Sequence, residues 1–265
     1  MKEKKALALS MAVILAMMAL VGASLAYMTD SHAVTNTFTV GKVQIQLVEQ
    51  QKGEDGLADF EQDKTLLPGT SSSNAVSKIV TVKNTSANDA WVWVDLYIPA
   101  YLVSSAYKTE PHTDDNKNAL HWNSYGCFNV EYNASGYAKK ATEDGIIDAD
   151  GKVTDSNMVA VKDGLWYDYK YIGTTEDGAY VIVRSKMQNT LPAGKTSLPV
   201  LAQVYMDWRV YNTVVNGVAS YVLPDGTTIA ATASWKIDIK AYAIQADGIA
   251  DVDTAISYYN AQLAA

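Results

Sequence analysis

Three histidines, His32, His112 and His121, are the only imidazoles in the chain, and hydrolytic metal chemistry would have to start from them. A zinc hydrolase of the H-E-x-x-H kind needs two imidazoles one helical turn apart, with a glutamate between them as base. None of the three has that spacing. His112 and His121 can converge with Asp114 or Asp115 as a third ligand, but exposed loop histidines are the simpler reading. The Gly-x-Ser-x-Gly elbow of serine hydrolases is absent. Gly69-Thr70-Ser71 begins like one, and Ser72-Ser73 follows where the second glycine belongs. Asp148-Ala149-Asp150-Gly151 resembles a fragment of a calcium loop without the other oxygen ligands or the closing glutamate, so it reads as a solvated hairpin tip. Cys127 is the sole cysteine, which excludes an intrachain disulfide and leaves a small buried residue as its simplest role. We assign no catalytic, cofactor-binding or metal-ligating residue, and no cofactor is expected.

The chain carries a different chemistry, that of a protease substrate. Lys2, Lys4 and Lys5 give a positive start, an apolar run from Ala6 to Leu20 follows, and Val21-Gly22-Ala23-Ser24-Leu25-Ala26 ends it. These are the three parts of a secretory signal peptide, with Ser24 at −3, Ala26 at −1 and Tyr27 as the first mature residue. A retained anchor is the rival, since the apolar stretch approaches the roughly 20 residues that span a bilayer. The cleavage site and the lack of a basic stop-transfer cluster favour removal. Residues 1–26 are thus expected to leave, and 27–265 to be secreted with no stable membrane insertion. Cleavage takes away three Lys and one Glu, leaving 18 basic against 28 acidic residues. Such a surface repels nucleic acid and anionic lipid, so neither is an expected partner.

The mature part reads as strands. Val43, Ile45 and Leu47 alternate with Gln44 and Gln46, and Lys78 to Lys83 is β-branched. In Trp91 to Ile98 the apolar face is Val92, Val94, Leu96 and Ile98, with Trp91, Trp93, Asp95 and Tyr97 opposite and Pro99 closing the strand. On that outer face, Asp95→Asn is expected to be mild. A polar, turn-rich insert occupies about 104–160, with Asp144-Gly145 and Asp150-Gly151 as hairpin turns. Short strands are expected around 126–132, 165–171 and 179–186, and longer ones over 198–211 and 230–246. Leu66-Leu67-Pro68-Gly69-Thr70 and Leu191-Pro192-Ala193-Gly194-Lys195-Thr196 look like matching corners. Asp251 can cap a terminal helix with Val252, Ala255, Ile256, Tyr259 and Leu263 on its buried face. The expected fold is all-β, a single jelly-roll-like β-sandwich with a short C-terminal helix.

Ala26-Tyr27-Met28-Thr29-Asp30, followed by Thr35-Asn36-Thr37-Phe38-Thr39-Val40-Gly41, resembles the start of the TasA/camelysin family of Gram-positive exported proteins. Leu66-Leu67-Pro68-Gly69, the stretch from Lys78 to Ser86 and the one from Trp235 to Ala246 resemble later segments of that family. Met28 stands where Phe is more usual, and nothing between about 98 and 198 matches. The resemblance implies processing by a dedicated SipW-type signal peptidase, a sandwich fold, and a structural role in fibres of the cell surface or biofilm matrix. Physically, cleavage at Ala26 frees an extended end. In it Thr35, Thr37, Phe38 and Val40 can pair as a donor strand with the sheet edge of a neighbour, building a head-to-tail homopolymer. Two other readings stand beside this one. The camelysin name suggests a secreted metalloprotease, and Trp91, Trp93 and Tyr97 suggest a surface ligand-binding sandwich unless they are packed under the helix or another sheet.

Overall fold

The alternation that starts at Val43 becomes β1 (Ile45–Lys52), with Val43, Ile45 and Leu47 buried and Gln44 and Gln46 exposed. The computed structural model describes residues 43–61, 68–69, 74–102, 142–204, 206–207, 209–215, 218–230 and 238–263. All of them lie in one unit, Thr35–Ala265. The remaining strands are β2 (Leu57–Asp59), β3 (Pro68–Gly69), β4 (Val76–Asn84), β5 (Ala90–Pro99), β6 (Trp166–Thr174), β7 (Tyr180–Met187), β8 (Leu201–Val204), β9 (Met206–Asp207), β10 (Tyr211–Val215), β11 (Val218–Val222), β12 (Thr228–Ala230) and β13 (Asp238–Gln245). One α-helix, α1 (Val252–Leu263), follows.

Two four-stranded antiparallel sheets, ordered β2-β1-β4-β8 and β13-β5-β7-β6, make the sandwich. The chain crosses between them after β4 and returns after β7, the interleaving that a jelly roll uses. Ile45, Leu47, Val80 and Val82 of the first sheet meet Val92, Val94, Leu96, Ile98, Val181 and Val183 of the second in one core. A third sheet, β10-β11-β12, and a parallel β3-β9 pair complete the described strands.

Polar tips tie the two sheets together. Trp166 Nε1 donates to Leu198 O at 2.7 Å and the Tyr169 hydroxyl to Val200 O at 3.0 Å, so the edge strand β6 is stitched to the segment entering β8. These two rings fill core volume and still satisfy their donors, which is what large amphipathic aromatics supply to a sandwich rim. Asn84, fully buried, donates to Asn88 O and Leu191 O and accepts from Ser86. These bonds fix the loop that joins β4 to β5.

Several expectations need correction. Asp144-Gly145 closes a single helical turn, with Gly145 N–H donating to Thr142 O. Asp150-Gly151 does close a tip, between Ile147 and Val153. The end of the polar insert is core: Ile146, Ile147, Met158 and Val159 are buried on the sandwich. The two Leu-Pro turns are unalike, since Pro68–Gly69 pairs with β9, whereas Leu191 bridges Ala90 and Thr196 bridges Lys83. The stretch 198–211 holds short strands rather than one long one. In α1 the buried stripe is Val252, Ala255 and Tyr259; Leu263 is 69% exposed, because the last turn projects past the final buried ring. Among the described residues no helix is long and apolar enough to cross a membrane.

Gly164 shows how tightly the insert joins the body. A Cβ there would sit 2.7 Å from Leu198 Cγ and closer still to Val159 Cγ2, at an ordinary φ of −106°. Gly164→Ala is therefore expected to destabilise by about 1–3 kcal/mol through overpacking, read as a lower urea midpoint at unchanged slope.

Candidate functional site

β5 is buried on both faces, so the residues expected to point outward are covered too. Across the second sheet the outer face forms rows: Tyr242, Trp93, Lys186 and Tyr167, then Lys240, Asp95, Arg184 and Lys170. The first row lies under α1. Trp93 is fully buried, stacked on Tyr242 at 5.7 Å and met edge-on by Tyr259 at 5.3 Å. The helix is placed by Asp251, whose carboxylate accepts from Thr254 N–H at 2.7 Å and is held below the usual carboxylate range mainly by that bond. Lys186 adds a bond to Asp253 and lies over the Tyr167 ring, so helix and sheet are clamped at the first turn. Trp91 completes the dock, donating from Nε1 to Ile249 O at 3.0 Å.

The second row is electrostatic. Arg184 grips Asp95 through Nε and Nη2, both at 2.7 Å. The Arg184 and Asp95 side chains are 19% and 5% exposed. Burial disfavours the Arg184 charge, but the hydrogen bonds and field of Asp95 outweigh it and push the guanidinium pKa up. Tyr242 is pushed well above the usual phenol range, first by burial, then by its hydrogen bond with Tyr97 and the nearby charge of Asp95. Lys240 Nζ sits 4.3 Å from the centre of the Tyr97 ring.

This face holds its charges in pairs and its rings in stacks. A sugar platform needs a bare aromatic face, and Trp93 and Tyr97 already carry a helix ring and a lysine on theirs. The Asp148 carboxylate is likewise engaged, accepting from Asp150 and Lys152 N–H at 2.9 Å each, so it shapes its own turn. Among the described residues no group of three or more His, Cys, Asp or Glu could hold a metal ion. His32, His112, His121 and Cys127 lie outside the described residues, as do Ser24, Ala26 and Tyr27 and the donor residues Thr35, Thr37, Phe38 and Val40.

The sheet edges matter most for strand exchange. β2 pairs with β1 only at Gln50–Lys52, and Phe60 N–H reaches Glu49 O. Along Ile45–Val48, β1 is paired on the β4 side alone among the described residues. β1 lies beside β13, the edge of the other sheet, and follows the expected donor segment in the chain. Sequence reasoning predicted a donor but no acceptor. It missed Arg184 and Lys186 as well, although the alternation of Val181 and Val183 with them in β7 was there to be read. Comparison of the chain with family models, curated proteins and solved structures finds no match.

Proposed function

We propose that this chain is an exported structural protein of the cell surface or biofilm matrix, polymerising head to tail by donating its N-terminal strand. A dedicated signal peptidase removes residues 1–26, and the protein's partner is then a further copy of itself. The observation that carries the reading is that, among the described residues, Ile45–Val48 of β1 pairs on its β4 side alone. An unpaired row of backbone N–H and C=O groups is a template for another strand, and a neighbour's segment from Thr35 to Val40 has the length and β-branched composition to fill it. The resemblance of the segment from Ala26 to Gly41 to exported fibre proteins supports the same reading.

Deleting Tyr27–Asn36 tests it. The truncated protein should keep near-parental β content and melting temperature while losing all filaments in electron micrographs. A synthetic peptide spanning Tyr27 to Val40 should cap growing ends of the intact protein. Filaments that persist after the deletion would overturn strand donation.

A further inference from the structure

Apart from the Ile45–Val48 half of β1, β10 differs from the other edge strands described in the three larger sheets. Sheets ordinarily blunt their edges with charge, bulges or short length to prevent pairing with another molecule. β2 and β12 have three residues each, and β8 is short and buried. β6 carries two register irregularities against β7 and an exposed Lys170. β13 carries Asp238 and Lys240. β10 has none of these devices. It runs in regular register with β11 from Tyr211↔Val222 to Val215↔Val218, and no charged residue occurs between Arg209 and Asp225. Tyr211 and Val214 are 59% and 69% exposed, and among the described residues β10 pairs with β11 alone.

We infer that β10 is a self-pairing edge, where two copies of this chain join antiparallel about a two-fold axis through Thr213. The charge distribution selects this occupant. Copies of a chain with a net charge of −8 repel one another over most of their surface, and the uncharged hairpin is where they can approach. The backbone fits the same symmetry. Leu223 N–H donates to Thr227 O, so Leu223 and Tyr221 turn their amides toward β12, Val222 and Ser220 turn theirs toward β10, and their partners Tyr211 and Thr213 turn theirs toward β11. Asn212 and Val214 then turn theirs outward. With Thr213 on the axis, Asn212 of one copy exchanges both bonds with Val214 of the other, and the two Thr213 residues meet as a close non-bonded pair. Five-residue strands bury well under the ~1,000 Å² of a stable interface. The contact is therefore weak between free molecules and strong only where many copies are arrayed, as along neighbouring filaments. It stands independently of strand donation, since β10 and β1 belong to different sheets.

The test is a cross-link on the full chain with Cys127→Ser. Thr213→Cys places two thiols across the axis at a spacing that a disulfide spans, and mild oxidation should give a covalent dimer. Thr228→Cys, on exposed β12, should not. Val214→Pro removes an outward amide without touching the β11 ladder, and adding it should abolish the Thr213→Cys dimer while the melting temperature holds. Thr213→Lys, which sets like charges face to face, should reduce the concentration-dependent sedimentation shift of the parent in the same way. A Thr213→Cys protein that stays monomeric, or a dimer indifferent to Val214→Pro, overturns the proposal.

Discussion

Val94→Asp is expected to leave the chain unable to fold. Val94 is fully buried at the middle of β5, which is itself flanked by β13 and β7. Its side chain meets the first sheet across the sandwich core, where Val80 and Val82 offer no hydrogen-bond donor. A carboxylate there is desolvated with no cation to receive it, at a cost of several kcal/mol. The total stability of a domain is about 5–15 kcal/mol, so little or none remains. Circular dichroism and a urea titration of the purified variant should show no cooperative transition. A variant that melts like the parent would mean that position 94 is not sealed in the sandwich core.

The inner face of β5 was legible because alternation reports which side chains share a side. On the outer face alternation cannot say whether the side is wet; packing of Trp93 under the helix was anticipated, and the burial of Asp95 was not. Trp93 and Asp95 are as buried as Val94 because α1 and the long side chains of β7 and β13 cover them. The cap at Asp251 was readable from local chemistry, as was the stripe Val252, Ala255 and Tyr259. The β10–β11 hairpin was missed although Asn216-Gly217 between β-branched residues is the strongest short-range hairpin signal. Asp144-Gly145 was misread for the opposite reason: the pair sits in a helical turn that begins at Thr142. The pairing of Asp95 with Arg184 joins residues 89 positions apart, and no periodicity connects them.

That long-range pair reverses the sequence expectation for Asp95. Asp95→Asn keeps the shape of the side chain and removes its charge, leaving Arg184 beside two further cations, with Lys240 paired to position 95 and Lys170 paired to Arg184 itself. Breaking a buried pair by deleting one partner costs about 3–5 kcal/mol. The 19% exposure of Arg184 places this case at about 3, since water screens part of the orphaned charge. The urea midpoint should fall accordingly. Arg184→Met added to Asp95→Asn should restore most of the loss, because replacing both partners by apolar volume is close to neutral. A second readout follows from Tyr242, whose phenol pKa is held up by burial first, then by Tyr97 and the Asp95 charge. In Asp95→Asn the negative neighbour is gone and an unpaired guanidinium stands in its place, so both changes favour the phenolate and the alkaline absorbance titration of that tyrosine should move down in pH. If the variant unfolds within about 0.5 kcal/mol of the parent, the size of an ordinary surface substitution, the Arg184 grip contributes nothing and the outer face of β5 is solvated after all.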